Sequence, residues 1–347
     1  MTTKFRSALL LSLLVLPVAL TTADAQQLRE AFRKVSRSVV IVRTKQVELN
    51  PLPGQVMSVV DGLGSGVVIS NDGKILTAAH VVQTAGVAWV EFPDGQIINA
   101  HVIGSDVRAD VALLKLDEVP AGLMPAPLGD SDKVEVGDQI FVVGAPYGLG
   151  QTLTAGHVSG RHRLDKKPRT LTAVEFLQTD AAVNSGNSGS PVFTMDGEVV
   201  GIVSSIMSQT GGSEGLAFAA ASNTAKSILL DRKPFWSGID GLLVTGDLAK
   251  ALNLPQSAGV LVQRVADGSI ASRLGILPGT VRAKVEGEDL LLGGDVILSV
   301  NGIPVTENDG SYDAIMSSIG ALKPGDALVV RVFRGGQFVK LSAPVEP

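Results

Sequence analysis

Short apolar runs separated by turn signals fill residues 39–223 of the sequence. Asp-Gly pairs at 72–73, 94–95 and 196–197 each lie between two strand-like runs, which is the pattern of a two-residue β-hairpin turn. Helical periodicity is almost absent from this region. Strands recurring at this spacing predict a β-barrel or a β-sandwich.

One helix-like segment, residues 222–231, closes this region, and Ser222 is its predicted N-cap. Residues 231–237 combine charge with a proline and are predicted to be a linker. The remainder, 238–347, mixes strands with helical segments, so a second domain of α+β type is expected. Within it, residues 280–292 form an insertion that we expect to be an extra loop or a small hairpin.

The N-terminus has the features of a targeting segment. Lys4 and Arg6 precede an apolar run of about 13 residues, and the small residues Ala23 and Ala25 flank Asp24. This order predicts a signal peptide over residues 1–25, cleaved after Ala25, and a location in a bacterial periplasm or the outside medium. The apolar run is short for a membrane anchor, so an uncleaved membrane helix is the less favoured alternative.

Composition excludes several classes of function. The net charge of −5 gives no global indication of nucleic acid or of an anionic membrane surface as a partner. The chain has no cysteine, no HExxH motif and no aspartate-rich calcium loop. We therefore expect neither a metal nor another cofactor, and no disulfides.

Three residues carry the elements of nucleophilic catalysis. His80 ends an apolar run in TAAHVV, Asp110 precedes one in RADVALLKL, and Ser188 lies in the glycine-rich stretch NSGNSGSP. A serine becomes a good nucleophile when a histidine accepts its proton and a carboxylate orients that histidine. Alone, each residue has an ordinary structural interpretation, but the order His, Asp, Ser is that of chymotrypsin-type proteases.

The motifs TAAHVV, DVALLKL, QTDAAVNSGNSGSPV and GLAFAAASN resemble those of the HtrA/DegP family of trypsin-like serine proteases. The resemblance covers nearly all of the chain after the signal peptide. It implies a mainly β fold, in which a chymotrypsin-like double β-barrel protease domain (26–230) is followed by an α+β PDZ domain (238–347). It also implies His80, Asp110 and Ser188 as the catalytic triad.

By the same resemblance, the backbone amides of Gly186 and Ser188, together with Asn187, form the oxyanion hole. The family's usual segment reads N-P-G-N-S-G-G-P. Here Ser185 stands in place of its proline and Ser190 in place of its second glycine.

The residues near the nucleophile also predict substrate preference. Trypsin-like cleavage after Lys or Arg requires an acid six residues before the serine, where this chain has Ala182, and an unpaired buried cation would cost several kcal/mol. By alignment with the family, Val183, Ile206 and Met207 line the pocket. We therefore expect cleavage after small or medium aliphatic residues.

PDZ domains bind a peptide as an added strand, and a glycine-containing loop receives its terminal carboxylate. The family's Tyr-Leu-Gly-Ile loop corresponds here to Trp236, Ser237, Gly238 and Ile239. Ile239 and Ile315 are expected to present apolar walls. The alternative is that this domain only packs against the protease.

The resemblance implies an exported endopeptidase that degrades unfolded or misfolded proteins in envelope quality control, under stress, without a cofactor. Implied partners are unfolded substrates, peptide C-termini and further copies of the chain in a trimer, with Phe32 as a contact. The basic segment 161–176 is either a solvated loop or a regulatory sensor loop. The alternative function is a chaperone-like or peptide-binding scaffold with a resting or inactive protease domain.

Overall fold

The computed structural model describes residues 18–49, 57–163, 174–208, 212–285 and 288–346. Six antiparallel strands form a first closed barrel, in the order β1-β2-β3-β6-β5-β4. A short helix, α2 (Ala79–Val82), follows β3. The strands of this barrel are β1 (Val39–Leu49), β2 (Met57–Val68), β3 (Lys74–Thr77), β4 (Val87–Glu91), β5 (Ile97–Asp106) and β6 (Val111–Leu116).

A second closed barrel follows, with the strand order β10-β11-β12-β9-β8-β7. Each barrel closes because its two outer strands pair, β1 with β4 and β7 with β10. Neither barrel therefore has a free edge strand. The strands are β7 (Gln139–Gly144), β8 (Thr152–Arg163), β9 (Glu175–Thr179), β10 (Pro191–Thr194), β11 (Val199–Ile206) and β12 (Ala217–Ala221). The expected double β-barrel is therefore confirmed.

A shared hydrophobic core joins the two barrels. Val67 and Leu76 of the first barrel and Phe141 and Phe193 of the second belong to the same buried cluster. The two phenylalanine rings are stacked with their centroids 5.2 Å apart. Full burial of such a side chain contributes roughly 1.5–3 kcal/mol, so this cluster holds the two barrels against each other.

A helix that the sequence analysis did not predict, α1 (Val18–Val35), packs on this core through Ala31 and Val35. It passes through the predicted cleavage site at Ala25, while residues 1–17, the larger part of the predicted signal peptide, lie outside the described residues. No helix in the described part of the chain is both long and apolar enough to cross a membrane.

All three Asp-Gly pairs lie in hairpin turns, but the turn type differs from the prediction. In each turn the glycine has a positive φ and donates its amide to the residue three positions earlier: Gly73 to Ser70, Gly95 to Phe92 and Gly197 to Thr194. None of the three aspartates has a positive φ, which a two-residue type I′ turn would require. The turns are instead type I turns followed by a left-handed glycine.

The predicted helix 222–231 is present as α3 (Ser222–Leu229), but the predicted N-cap is wrong. Ala221 occupies the cap position, and the Ser222 hydroxyl donates to the backbone oxygen of Gly129 at 2.8 Å. The Ser222 hydroxyl therefore binds a residue distant in sequence and does not form the helix cap that its local sequence predicts.

The C-terminal region is an α+β domain built on a six-stranded sheet of order β13-β14-β17-β19-β20, with β18 paired to β17. The insertion at 280–292 is a separate hairpin, β15–β16, held to β14 by two hydrogen bonds between the Gln263 side chain and the Leu291 backbone. The elements are β13 (Ile239–Thr245), α4 (Gly246–Ala251), β14 (Ala258–Val265), α5 (Ile270–Leu274), β15 (Val281–Val285), β16 (Glu288–Leu292), β17 (Val296–Val300), β18 (Ile303–Pro304), α6 (Asp309–Gly320), β19 (Ala327–Arg334) and β20 (Gln337–Pro344).

Candidate active site

His80 and Asp110 come together because their strands are neighbours. His80 lies in α2 directly after β3, Asp110 lies directly before β6, and β3 pairs with β6. His80 Nδ1 is 2.8 Å from Asp110 Oδ2. The backbone amide of His80 also donates to Asp110 Oδ1 at 3.0 Å. A carboxylate can only accept, so Nδ1 carries the imidazole proton and Nε2 is left as a base.

A residue that the sequence analysis missed completes this pair from the other barrel. Ser204, on β11, donates its hydroxyl to Asp110 Oδ2 at 2.6 Å. Burial raises the pKa of the Asp110 carboxyl, but the hydrogen bonds from His80 and Ser204 outweigh burial and leave that pKa below its ordinary value. Asp110 is therefore ionised at neutral pH and holds the imidazole.

Asp110 has a strained backbone that its loop supports. Its φ is +51°, a left-handed value that is uncommon for a residue with a side chain. The side chain of Asp106 accepts the amides of Arg108 and Ala109 at 2.9 and 3.0 Å, which fixes the turn immediately before Asp110. The strain is thus held by a local hydrogen-bonded turn.

The segment before Ser188 forms a type II turn. The amide of Asn187 donates to the backbone oxygen of Asn184 at 3.0 Å, and Gly186, the third residue of the turn, has φ +94°. The Ser65 hydroxyl donates to the Gly186 carbonyl at 2.9 Å and accepts the Ala145 amide at 3.0 Å. A buried serine of the first barrel therefore fixes the orientation of this turn.

This turn leaves two backbone donors available. Among the described residues, neither the Gly186 amide nor the Ser188 amide has a hydrogen-bond acceptor. The Asn187 amide, in contrast, is occupied by Asn184. The expectation that Asn187 supplies an oxyanion donor therefore does not fit this conformation, whereas Gly186 and Ser188 do fit it.

Ser188 lies on a segment that contacts the segment of His80. The backbone oxygen of Ser188 accepts the Ser65 amide at 2.8 Å. An added Cβ on Gly189 would lie 2.9 Å from the backbone nitrogen of Ala78, two residues before His80. No hydrogen bond joins the His80 and Ser188 side chains within the described chain, so the last contact of the predicted triad is not formed in this conformation.

The predicted specificity residues differ in how deeply they are buried. Val183 is buried in the core of the second barrel, and Ile206 is partly buried beside it. Met207 is 63% exposed and does not form a buried wall. Ala182 is also exposed, and no acid stands at that position.

In the C-terminal domain, the predicted peptide-loop residues separate. Ser237 and Ile239 line a cavity of about 400 Å³ between β13 and α6, and Ile315 of α6 lines it as well. Trp236 points the other way: its ring packs on the core of the first barrel, and its Nε1 donates to the Gln83 backbone at 3.0 Å. The predicted role of Trp236 in peptide binding is therefore not supported, because this end of the predicted linker packs on the first barrel; the Ser105 amide likewise donates to the Phe235 backbone oxygen.

Residues of the first barrel, among them Arg108, also line this cavity. Arg108 pairs with Asp313 at 3.2 Å and lies 3.8 Å from the centre of the Tyr312 ring. The Tyr312 hydroxyl donates to Asp106, and burial, with the Asp106 charge, raises the pKa of that hydroxyl. Helix α6 is thus tied to the loop that bears Asp110.

No group of metal-ligating side chains occurs within the described ranges. The arrangement suits acid–base and nucleophilic chemistry by side chains alone: a carboxylate, an imidazole, a serine hydroxyl and two backbone donors.

Comparisons with known proteins agree with this geometry. Residues 64–202 match a trypsin-like peptidase domain. The chain is 33% identical over 334 residues to a periplasmic pH-dependent serine endoprotease, DegQ, of Escherichia coli K12, covering 94% of this chain and 66% of DegQ. It is 41% identical over 245 residues to a probable periplasmic serine endoprotease, DegP-like, of Brucella suis, covering 69% of this chain and 47% of that protein. The chain thus spans about half to two thirds of these relatives' lengths.

Solved structures are similar over almost the whole chain. A variant of the HtrA-type protease AlgW with a decapeptide has a TM-score of 0.55 and 29% identity, covering 92% of this chain and 97% of that one. AlgW with a tripeptide has a TM-score of 0.51 and 31% identity, covering 92% and 96%.

Proposed function

The chain belongs to the HtrA family of trypsin-like serine proteases, and we propose that it is a periplasmic serine endopeptidase. The observation that carries this proposal is the His80–Asp110 pair, closed by Ser204 across the barrel cleft, beside a glycine turn with two available amides. The names of the relatives DegQ and DegP-like support the periplasmic location.

In the proposed reaction, Ser188 Oγ attacks the peptide carbonyl while His80 Nε2 accepts its proton. The same imidazole then donates that proton to the leaving amine. Ionised Asp110 stabilises the imidazolium. The amides of Gly186 and Ser188 donate to the oxyanion, and each such donor contributes roughly 3–4 kcal/mol of barrier lowering. The His80–Ser188 contact forms on substrate binding, since catalytic hydrogen bonds are often long without substrate.

We propose that cleavage follows small or medium aliphatic residues. Val183 and Ile206 supply apolar surface, and Ala182 supplies no charge to hold Lys or Arg. Because Met207 is exposed, it is a rim residue of this pocket. A peptide-library digest tests the preference, and cleavage mainly after Lys or Arg would overturn it.

We propose that unfolded or misfolded proteins are the substrates, as part of envelope quality control. Residues 26–230 would be the protease domain, and 238–347 a PDZ domain that receives peptide C-termini along β13. The cavity between β13 and α6 supports this role, as do the peptides bound to AlgW. We also propose a homotrimer, although Phe32 is partly buried on the chain's own core and is therefore a poor contact for it.

Casein digestion by wild type and by Ser188→Ala tests the proposed activity. Wild type is expected to degrade casein, alone or with a hydrophobic C-terminal peptide added, and Ser188→Ala to be inactive. No digestion by either protein, with retained peptide binding and suppression of aggregation, would indicate the scaffold or chaperone-like alternative instead.

A further inference from the structure

Two buried polar atoms beside the nucleophile lack hydrogen-bond partners within the described chain: Asn187 Oδ1 and Ser190 Oγ. Asn187 is 3% exposed and Ser190 is fully buried. A buried polar atom without a partner costs about 1–3 kcal/mol, and most such atoms in folded proteins are paired. Two of them within one catalytic loop therefore require an explanation.

Both oxygens lie next to the same residue, Gly144. An added Cβ on Gly144 would lie 2.1 Å from Ser190 Oγ and 2.5 Å from Asn187 Oδ1. Both oxygens therefore lie beside Gly144, within reach of the position that a side chain there would take. Their chemistry is complementary, because a hydroxyl donates and a carboxamide oxygen accepts.

The backbone already links the same two residues. The Ser190 amide donates to the Asn187 backbone oxygen at 2.9 Å, and the Ser190 backbone oxygen accepts the Val203 amide at 2.8 Å. The peptide group between Asn187 and Ser188 therefore has its oxygen directed at Ser190, and its N–H, the proposed oxyanion donor, points the opposite way.

We propose that Ser190 is a positioning residue of the oxyanion hole. Its hydroxyl donates to Asn187 Oδ1 after rotation of the Ser190 side chain, which closes a ring with the existing backbone bond. That ring holds the Ser188 amide toward the oxyanion. The inference rests on the proposed peptidase activity, and it assigns a role to the serine that stands where the resembling family has glycine.

The test compares Ser190→Ala with Ser185→Ala, a matched control at an exposed serine of the same loop. With a chromogenic aliphatic peptide, Ser190→Ala is expected to lower kcat roughly tenfold, a fraction of the loss caused by removing an oxyanion donor. KM is expected to stay within about twofold, because ground-state binding does not use the donor. Unchanged kcat with a raised unfolding temperature would overturn the proposal, since the hydroxyl would then be only an unpaired buried group.

A double-mutant cycle adds a readout that a purely structural role does not move. If the two side chains act together, Asn187→Ala combined with Ser190→Ala lowers kcat no further than Asn187→Ala alone, whereas independent effects would multiply. Affinity for a peptidyl boronate, which places a tetrahedral oxygen in the hole, is expected to fall in parallel with kcat.

Hydrogen exchange over residues 184–190 separates failure of this inference from failure of the proposed function, since it requires no turnover. Faster exchange in Ser190→Ala than in wild type and Ser185→Ala supports the positioning role even if the chain proves inactive on peptides. Equal exchange in all three proteins would contradict it.

Discussion

The Gln83 side-chain amide donates a 2.7 Å hydrogen bond to the backbone oxygen of Ile239, joining the segment after the His80 helix to the first residue of β13. Gln83 is buried, and its own side-chain oxygen accepts the Ser105 hydroxyl at 2.6 Å. The Ile239 carbonyl therefore faces away from β14, along the edge where an added peptide strand would pair. A residue of the first barrel holds a position that the proposed peptide needs.

Replacing Gln83 by alanine is accordingly expected to tighten peptide binding. A peptide would no longer displace a protein hydrogen bond worth about 1 kcal/mol, which corresponds to roughly fivefold in Kd. Fluorescence anisotropy of a labelled hydrophobic C-terminal peptide, in a Ser188→Ala background, measures this. Gln46→Ala is the control, because Gln46 contacts the same helix through Val81 but not β13. Unchanged or weaker binding by Gln83→Ala would contradict the competition.

The type II turn predicts a severe effect of Gly186→Ala. With φ +94°, a Cβ there would lie 2.7 Å from the Tyr147 nitrogen and 2.8 Å from the Ala145 oxygen. The turn would have to change, and the Gly186 amide would leave the proposed oxyanion hole, so kcat should fall by about 100-fold or more. Gly95→Ala provides the control. Its φ is +85°, and no atom of the described residues lies within 4 Å of a Cβ added there, so strain without a catalytic loss is expected. Equal kcat in the two variants would argue against the assigned donor.

The lowered pKa of Asp110 predicts how acid affects stability. A carboxyl with a depressed folded-state pKa stabilises the fold above its unfolded pKa, about 3.9, and loses that contribution as pH falls through the folded value. Ser204→Ala removes one cause of the depression. It should therefore destabilise the chain by roughly 1.5 kcal/mol at pH 7, with the difference from wild type shrinking below about pH 4.

Unfolding by urea at pH 7 and at about pH 2, well below the ordinary pKa of an aspartate, measures this difference. Ser205→Ala, at the exposed neighbour on the same strand, is the control and should be neutral at both values. A Ser204→Ala deficit that stays equal at both pH values would show that the hydroxyl does not act through the ionised carboxylate.

An ion pair with a buried carboxylate is expected to contribute strongly to the stability of the C-terminal domain. The Asp295 side chain has no exposed surface, and Arg334 binds it with two hydrogen bonds of 2.7 Å. Arg334→Ala leaves a buried carboxylate without its cation and should cost roughly 3 kcal/mol. Lys250→Ala, which breaks the exposed pair with Asp247, should cost under about 0.5 kcal/mol. Calorimetry compares the two variants, and similar unfolding temperatures would refute the difference.

Local sequence pattern predicted the strands, the three hairpins and the helices of the C-terminal domain, because periodicity and turn residues act over a few positions. The glycines at the hairpin turns illustrate the limit. Asp-Gly suits either a type I′ turn or a type I turn with a left-handed glycine, and the pairing of the flanking strands decides between them.

The residues that support the candidate site through hydrogen bonds could not be predicted from the sequence. Ser65, Gln83 and Ser204 act through hydrogen bonds to partners more than 90 residues away, and no local motif marks them. Ser222 and Trp236 were misassigned for the same reason. The side chain of each donates its hydrogen bond to a backbone oxygen that is distant in sequence. His80, Asp110 and Ser188 could be proposed as a triad only because each lies in a recognisable short motif.

If Ser188 is a nucleophile activated by His80, it should react covalently with a fluorophosphonate probe. Tandem mass spectrometry of the labelled wild-type chain should locate the adduct on Ser188 alone. Labelling should be absent from Ser188→Ala and strongly slowed in His80→Ala. An adduct on another residue, or equal labelling rates in wild type and His80→Ala, would show that His80 does not activate Ser188.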